Sequence, residues 1–163
     1  MQQKSIINNL ICEIKSIIQG EVQLNTIDYI YNDIFLKELF PEGLNQNVYL
    51  GQIVLGVSGR LEIAIHTKQR PAKEIEKWGV WGKDYNVIVI YLSGTSLGVL
   101  QLENWEKVDY GFLSISHDQV ANGQIPHIFT LLHIGEDWSI KIQSQGFGFG
   151  RCSTYFDNGK YVP

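Results

Sequence analysis

Cysteine is scarce in this chain. Cys12 and Cys152 are the only two among 163 residues and lie near opposite ends, which excludes the dense disulfide framework of small secreted domains and favours reduced thiols. Proline is scarce too, at four residues, and no low-complexity tract marks a flexible linker between domains. Charge is low. Only 18% of residues are charged against 44% hydrophobic, the opposite of the composition that keeps a chain disordered. With 13 basic and 17 acidic residues the net charge is −4, and the densest basic cluster, Lys68, Arg70 and Lys73, is small and reads as a solvated loop. The phosphate-gripping stripe of a nucleic-acid binder is therefore missing. No run approaches the roughly 18 apolar residues of a membrane span, and Asn8, Asn9, Glu13 and Lys15 interrupt the N-terminal apolar residues, so neither a span nor a signal peptide is expected. One domain over residues 1–163, cytoplasmic, with no membrane or nucleic-acid partner, is the expectation.

What the sequence does contain begins with helical periodicity. Ile6, Ile7, Leu10, Ile11, Ile14, Ile17 and Ile18 recur at spacings of three and four, drawing one apolar stripe along a helix. Ser5 can cap its start and Gly20 its end. Asn25 or Thr26 then caps a second amphipathic helix carrying Ile27, Ile30, Tyr31, Ile34, Phe35, Leu39 and Phe40, which Pro41 and Gly43 terminate. Residues 1–43 thus read as a helical segment.

From residue 47 the period changes to two. Leu61, Ile63 and Ile65 alternate with Glu62, Ala64 and His66, the pattern of a half-buried strand, and Val48–Val57 pairs with it through Ser58-Gly59. Val87–Leu92 is continuously apolar and reads as a central strand covered on both faces. Leu97–Leu102 is expected to return from it. Further strands read at Tyr110–Ile115, Ile128–Ile134 and Trp138–Ile142, the last two joined by Gly135-Glu136-Asp137. A final hairpin, Ser153–Phe156 with Lys160–Val162, is signalled by Asp157-Asn158-Gly159. Helical turns are expected at Ala72–Lys77 and Asp118–Ala121. The predicted fold class is α+β: two N-terminal amphipathic helices packed on a large, mostly antiparallel, strongly twisted sheet built from hairpins over 47–163.

Chemistry-bearing motifs are few. His127 and His133 share a strand face but stand about 20 Å apart by strand rise, too far to hold one metal between them, so no metal site and no cofactor is expected. His117-Asp118 reads as a short helix start with an acidic first turn. Cys152 precedes strand sequence and lacks the helix N-terminus that would activate it, so no catalytic residue is assigned. Gly146-Phe147-Gly148-Phe149-Gly150-Arg151 has the glycine spacing of a phosphate cradle, but no helix opens behind it, and a kinked strand is the better reading. Trp78 and Trp81, flanked by Gly79 and Gly82, either close the core end or present a recognition surface with Tyr85, because tryptophan combines a large buried area with a polar N–H.

A well-packed domain with this little reactive chemistry is expected to bind a protein partner without catalysis. The candidate binding residues are Trp78, Trp81, Tyr85, Glu103, Glu106, Phe147 and Phe149. One concrete form is an inhibitor of the bacterial immunity type, covering a toxin domain. The alternative is a small-molecule or carbohydrate-binding domain using Trp78, Trp81 and Phe147, and the third reading is a small hydrolase built on His117 or His127 with a carboxylate. A homodimer through an exposed sheet edge is a further expected partner.

Overall fold

The computed structural model describes residues 25–118 and 128–159. The helix expected over 6–18, Cys12, His127, most of the turn at Asp118–Ala121 and the strand Lys160–Val162 lie outside the described residues. The rest is organised by one mixed sheet of nine strands: β1 (Ile30–Tyr31), β2 (Asn47–Leu55), β3 (Leu61–Thr67), β4 (Val87–Gly94), β5 (Val99–Glu103), β6 (Gly111–His117), β7 (Phe129–Ile134), β8 (Ser139–Ser144) and β9 (Phe147–Tyr155), in the order β1-β9-β4-β3-β2-β6-β7-β8-β5. All pairings between these strands are antiparallel except β1 with β9.

The two-helix reading is overturned where it can be checked. In place of a second long helix, Asn25 caps a single 3₁₀ turn, Thr26–Tyr29, accepting a hydrogen bond from the Ile27 N–H while Asp28 accepts from the Asn25 N–H. The chain then extends as β1, reverses at Asn32 with φ of 60°, and makes only a six-residue helix, α1 (Ile34–Leu39). The reason is local. Ile27, Tyr29, Ile30 and Tyr31 are β-branched or aromatic and accept the extended form, and a free edge on β9 takes Ile30 and Tyr31 as a parallel strand. Asn tolerates the left-handed turn that follows. Ile27, Ile30, Leu36, Leu39, Phe40 and Leu44 remain buried, so the apolar residues serve the core without forming a continuous helix.

Chain crossings show how the sheet is folded. β2-β3-β4 and β6-β7-β8 are two meanders joined side by side through a single short contact, Asn47↔Phe112 and Val48↔Gly111. Each meander then gives its next strand to the other one: β5 pairs with β8 in place of β4, and β9 pairs with β4 in place of β8. Only Gln145 and Gly146 separate β8 from β9, a span of roughly 10 Å, which is the distance between packed sheets. The crossing strands are tied together by Gln145 N–H donating to Thr95 O (3.0 Å) and Gly98 N–H to Gln143 O (2.8 Å). The two halves therefore lie face to face, with one core between them. It takes Val48, Leu50, Ile63, Ile65, Ile88, Ile90 and Leu92 from one half and Leu113, Ile115, Phe129, Leu131, Ile140 and Ile142 from the other. The expected return of Leu97–Leu102 onto β4 is thus corrected: Leu100 and Leu102 oppose Ile142 and Ile140 instead.

At the fold line the backbone ladder runs out, and His133 replaces it. The ring is fully buried. Its Nε2 accepts the Leu50 N–H (3.3 Å), so the proton of the neutral ring sits on Nδ1 and is donated to the Phe112 carbonyl (3.3 Å). Trp138 lies against it at 4.6 Å between centroids. One neutral histidine thereby satisfies the Leu50 donor on β2 and ties it to the Phe112 carbonyl on β6.

Candidate functional site

The outward-pointing side chains of the two halves differ in kind. On β6, β7 and β8 they include Ser114, Ser116, Thr130, Lys141 and Gln143, opposite in parity to buried Leu113, Ile115, Leu131, Ile140 and Ile142. On β2, β3, β4 and β9 the same parity yields Tyr49, His66, Tyr91, Arg151, Ser153 and Tyr155, and Tyr110 joins them from just before β6. This is a row of rings. Tyr49 lies 5.2 Å from His66, His66 5.6 Å from Tyr155, and Tyr49 5.8 Å from Tyr110 between centroids. Ala64, Val87 and Val89 are buried beneath this side although they stand outside the main core cluster. The solvent face of this half has an apolar-aromatic layer of its own.

Polar contacts fix the rings. His66 Nδ1 and the Tyr155 hydroxyl are hydrogen-bonded at 3.0 Å, and burial lowers the His66 pKa, keeping it neutral at pH 7. Gly51 sits at a register shift in β2, where a Cβ would stand 2.8 Å from both His66 Nε2 and Tyr49 Cε1. Glycine is needed there for close approach, not for a turn. The Arg151 guanidinium lies 3.7 Å over the Tyr91 ring and 3.7 Å from Glu62, while Ser153 donates to the Tyr91 hydroxyl at 3.4 Å. Lys68 sits 4.8 Å over Tyr110 and 2.9 Å from Asp157. The Tyr110 hydroxyl is buried beside Tyr155 with no ordinary hydrogen-bond partner among the described residues. Burial first, then Tyr155, Asp157 and Asp109, push its pKa above the usual phenol value. A shallow polar recess of about 330 Å³ adjoins it, lined by Asn45, Asn47, Lys68 and Gln69.

The residues expected from sequence are placed otherwise. Tyr85 is fully buried, with Trp81 5.2 Å and Trp78 6.0 Å away edge-on. Phe35 links Trp78 (6.1 Å) to Phe149 (5.7 Å). These rings close one end of the core beneath the 3₁₀ turn Glu76–Trp78. Phe147 is fully buried on the inner side of β9, and the glycine-rich string leads from Gly146 into the start of that strand, shifted in register where Gly150 bulges between Phe149 and Arg151. Glu103 and Glu106 are exposed at the opposite edge, on β5 and the turn after it, where Glu103 accepts from the Ser139 hydroxyl. The structure thus groups Trp78, Trp81, Tyr85 and Phe149, and separates Glu103 and Glu106 from them. Compared with known proteins, the chain matches no family model, no curated protein and no solved structure.

Among groups considered for reactivity, burial pushes the Cys152 thiol up to about 12, with Lys77 opposing weakly. Burial lowers His133 to about 4. The His117 Nδ1 is hydrogen-bonded to the backbone carbonyl of Asp118 (2.9 Å), not to its carboxylate. No helix among the described residues is long and apolar enough to cross a membrane. The members of the tyrosine row lie far apart in sequence and, unlike Trp78 and Trp81, stand in no glycine-flanked string of aromatics. The usable signal is parity: Tyr49, His66 and Tyr91 each fall between inward-facing residues.

Proposed function

We propose that this protein is a binding domain that docks a protein partner on the outer face of β2, β3, β4 and β9. The observation that carries the reading is the rigid row of Tyr49, His66, Tyr155 and Tyr110, with Tyr91 under Arg151 beside it. Tyrosine and arginine dominate the energetics of protein interfaces, because each offers a large contact area and a polar end at modest entropic cost. Here the scaffold is four adjacent strands, so little ordering remains to be done on binding. Lys68, Asp157, Glu62 and Arg151 form ion pairs around the rings, suited to a polar rim. A toxin domain, covered by this chain as its inhibitor, is one form such a partner could take.

The carbohydrate alternative on Trp78, Trp81 and Phe147 is less well supported, since Phe147 has no exposed surface and both tryptophans pack on Tyr85. A photoreactive side chain at exposed Gln52, which shares the face with Tyr91, is expected to yield a specific protein adduct in cells. The same group at Thr130, on the outer face of the other half, is expected to yield none. Equal labelling from both positions, or from neither, would remove the support for this face.

A further inference from the structure

Among the described residues β5 pairs on one side only, with β8, and its other edge is open. Free N–H and C=O groups on such an edge take up an added strand unless charge or proline guards them. β9 is open too beyond Gly148, where β1 stops, so an open edge alone singles out neither strand. The surroundings of β5 do. Every residue from Gln101 to Lys107 is exposed, and two of them are large and apolar, Leu102 at 44% and Trp105 at 41%. Tryptophan is among the residues enriched at the energetic centres of protein contacts.

Charge decides what kind of partner fits this edge. Residues 104–110 run from β5 past the β7–β8 hairpin to β6, tied to the hairpin by Asn104 Nδ2 donating to the Asp137 carbonyl. Glu106 and Asp109 are thereby brought to the same end of the fold as Glu103 on β5 and Glu136 and Asp137 in the hairpin turn, and all five are exposed. None of them forms an ion pair with another described residue. Lys107 is the basic residue of that end, with Lys141 next along β8, opposite Gln101. Five of the 17 acidic residues and one of the 13 basic ones lie there, so this end accounts for the whole net charge of −4. Among the described residues no three carboxylates come close enough to hold a metal ion; the negative charge is spread over a surface. The open stretch of β9, in contrast, carries one charge, Arg151, which is paired with Glu62.

We propose that β5 and the turn after it dock an extended, lysine- or arginine-bearing segment of a partner protein, which adds to the sheet as a strand. Parity sets the pattern of that segment. Leu100 and Leu102 follow the inner side chains Ile142 and Ile140 of β8, while Glu103 falls on the outer side, so the fitting strand alternates apolar and basic residues. Its apolar side chains cover Leu102 and Trp105, and its cations meet the unpaired carboxylates. Attraction of this kind speeds encounter and rejects acidic competitors. The surface belongs to the other half of the fold from the tyrosine face, and its test does not depend on that reading.

Fluorescence anisotropy of a labelled peptide of five Lys-Val repeats, titrated with the full chain, tests this, with five Glu-Val repeats as the control peptide. The lysine peptide should bind and the glutamate peptide should not, and Kd should rise as salt is raised. Hydrogen exchange in the complex should slow over residues 99–107 and stay unchanged along β9. Glu103→Lys/Glu106→Lys should raise Kd about tenfold or more, and Trp105→Ala about fivefold or more, with circular dichroism unchanged in both. Glu38→Lys/Glu76→Lys makes the same change in net charge at exposed positions on α1 and the turn Glu76–Trp78, and should leave Kd within about twofold, since its charges lie beyond the screening length from β5. Failure of the lysine peptide to bind, protection that falls outside residues 99–107, a folded Trp105→Ala chain that binds as the parent does, or equal weakening by the two charge reversals would each overturn the proposal.

Discussion

His133 allows the sharpest test of how the two halves are held together. The ring must be neutral to accept from Leu50 and donate to Phe112, and burial holds its pKa at about 4. In the unfolded chain the same histidine titrates near 6.5. The folded pKa is depressed, so the unfolded chain binds the extra proton: the stability from this group is complete above pH 6.5 and is lost as the pH falls towards 4. By proton linkage the loss between pH 7 and pH 4 is about 3 kcal/mol, of which about 2 kcal/mol falls between pH 6.5 and pH 4.5. His66, also lowered by burial, adds in the same direction. Urea unfolding across that range measures the effect. A His133→Gln variant offers a donor and an acceptor but no titrating proton, so it should be less stable than the parent at pH 7 and keep only the shallower slope left by His66 from pH 6.5 to 4.5. A parent chain whose unfolding free energy is level over the same range would refute the argument, as would a variant with the parent's slope.

Two further predictions concern buried groups. The Tyr85 hydroxyl is buried with no hydrogen-bond partner among the described residues. Tyr85→Phe should therefore be neutral or stabilising by up to about 1 kcal/mol, and a clear fall in the urea midpoint would show that the hydroxyl has a partner after all. With its pKa pushed to about 12 by burial, Cys152 has almost no thiolate at pH 8. In a Cys12→Ser background it should react with a maleimide or disulfide reagent at least a hundredfold more slowly when folded than in denaturant, and comparable rates would contradict the placement.

Several strands could be read from sequence because their burial is strictly periodic or continuous. β3 alternates around Leu61, Ile63 and Ile65, and β4 is apolar from Val87 to Ile90 because β3 and β9 flank it and rings cover its outer side. The hairpins at Ser58-Gly59 and Gly135-Glu136-Asp137 followed from turn chemistry. What failed depended on partners distant in sequence. The spacing of Ile27, Ile30, Ile34 and Phe35 fits a helix, yet β9, more than a hundred residues away, takes Ile30 and Tyr31 as a strand. The exchange of β5 and β9 between meanders is likewise a matter of chain crossing, and no local pattern in Leu97–Leu102 records which strand it will meet. The candidate site was missed for a related reason. A tyrosine on the outward parity of one strand is unremarkable until four strands align such residues into a row.

The outer face of β2, β3, β4 and β9 is the surface a protein partner is proposed to occupy. Once a cross-linked partner is purified, calorimetric titration against three forms of the chain tests it: the parent, a Tyr91→Ala/Arg151→Glu variant and a Trp81→Ala variant. Loss of two central contacts should weaken binding by at least about 2 kcal/mol, roughly thirtyfold in Kd, while Trp81→Ala binds as the parent does. The reverse pattern, with the double variant unimpaired and Trp81→Ala weakened, would transfer the interface to the tryptophan end of the core and contradict the account.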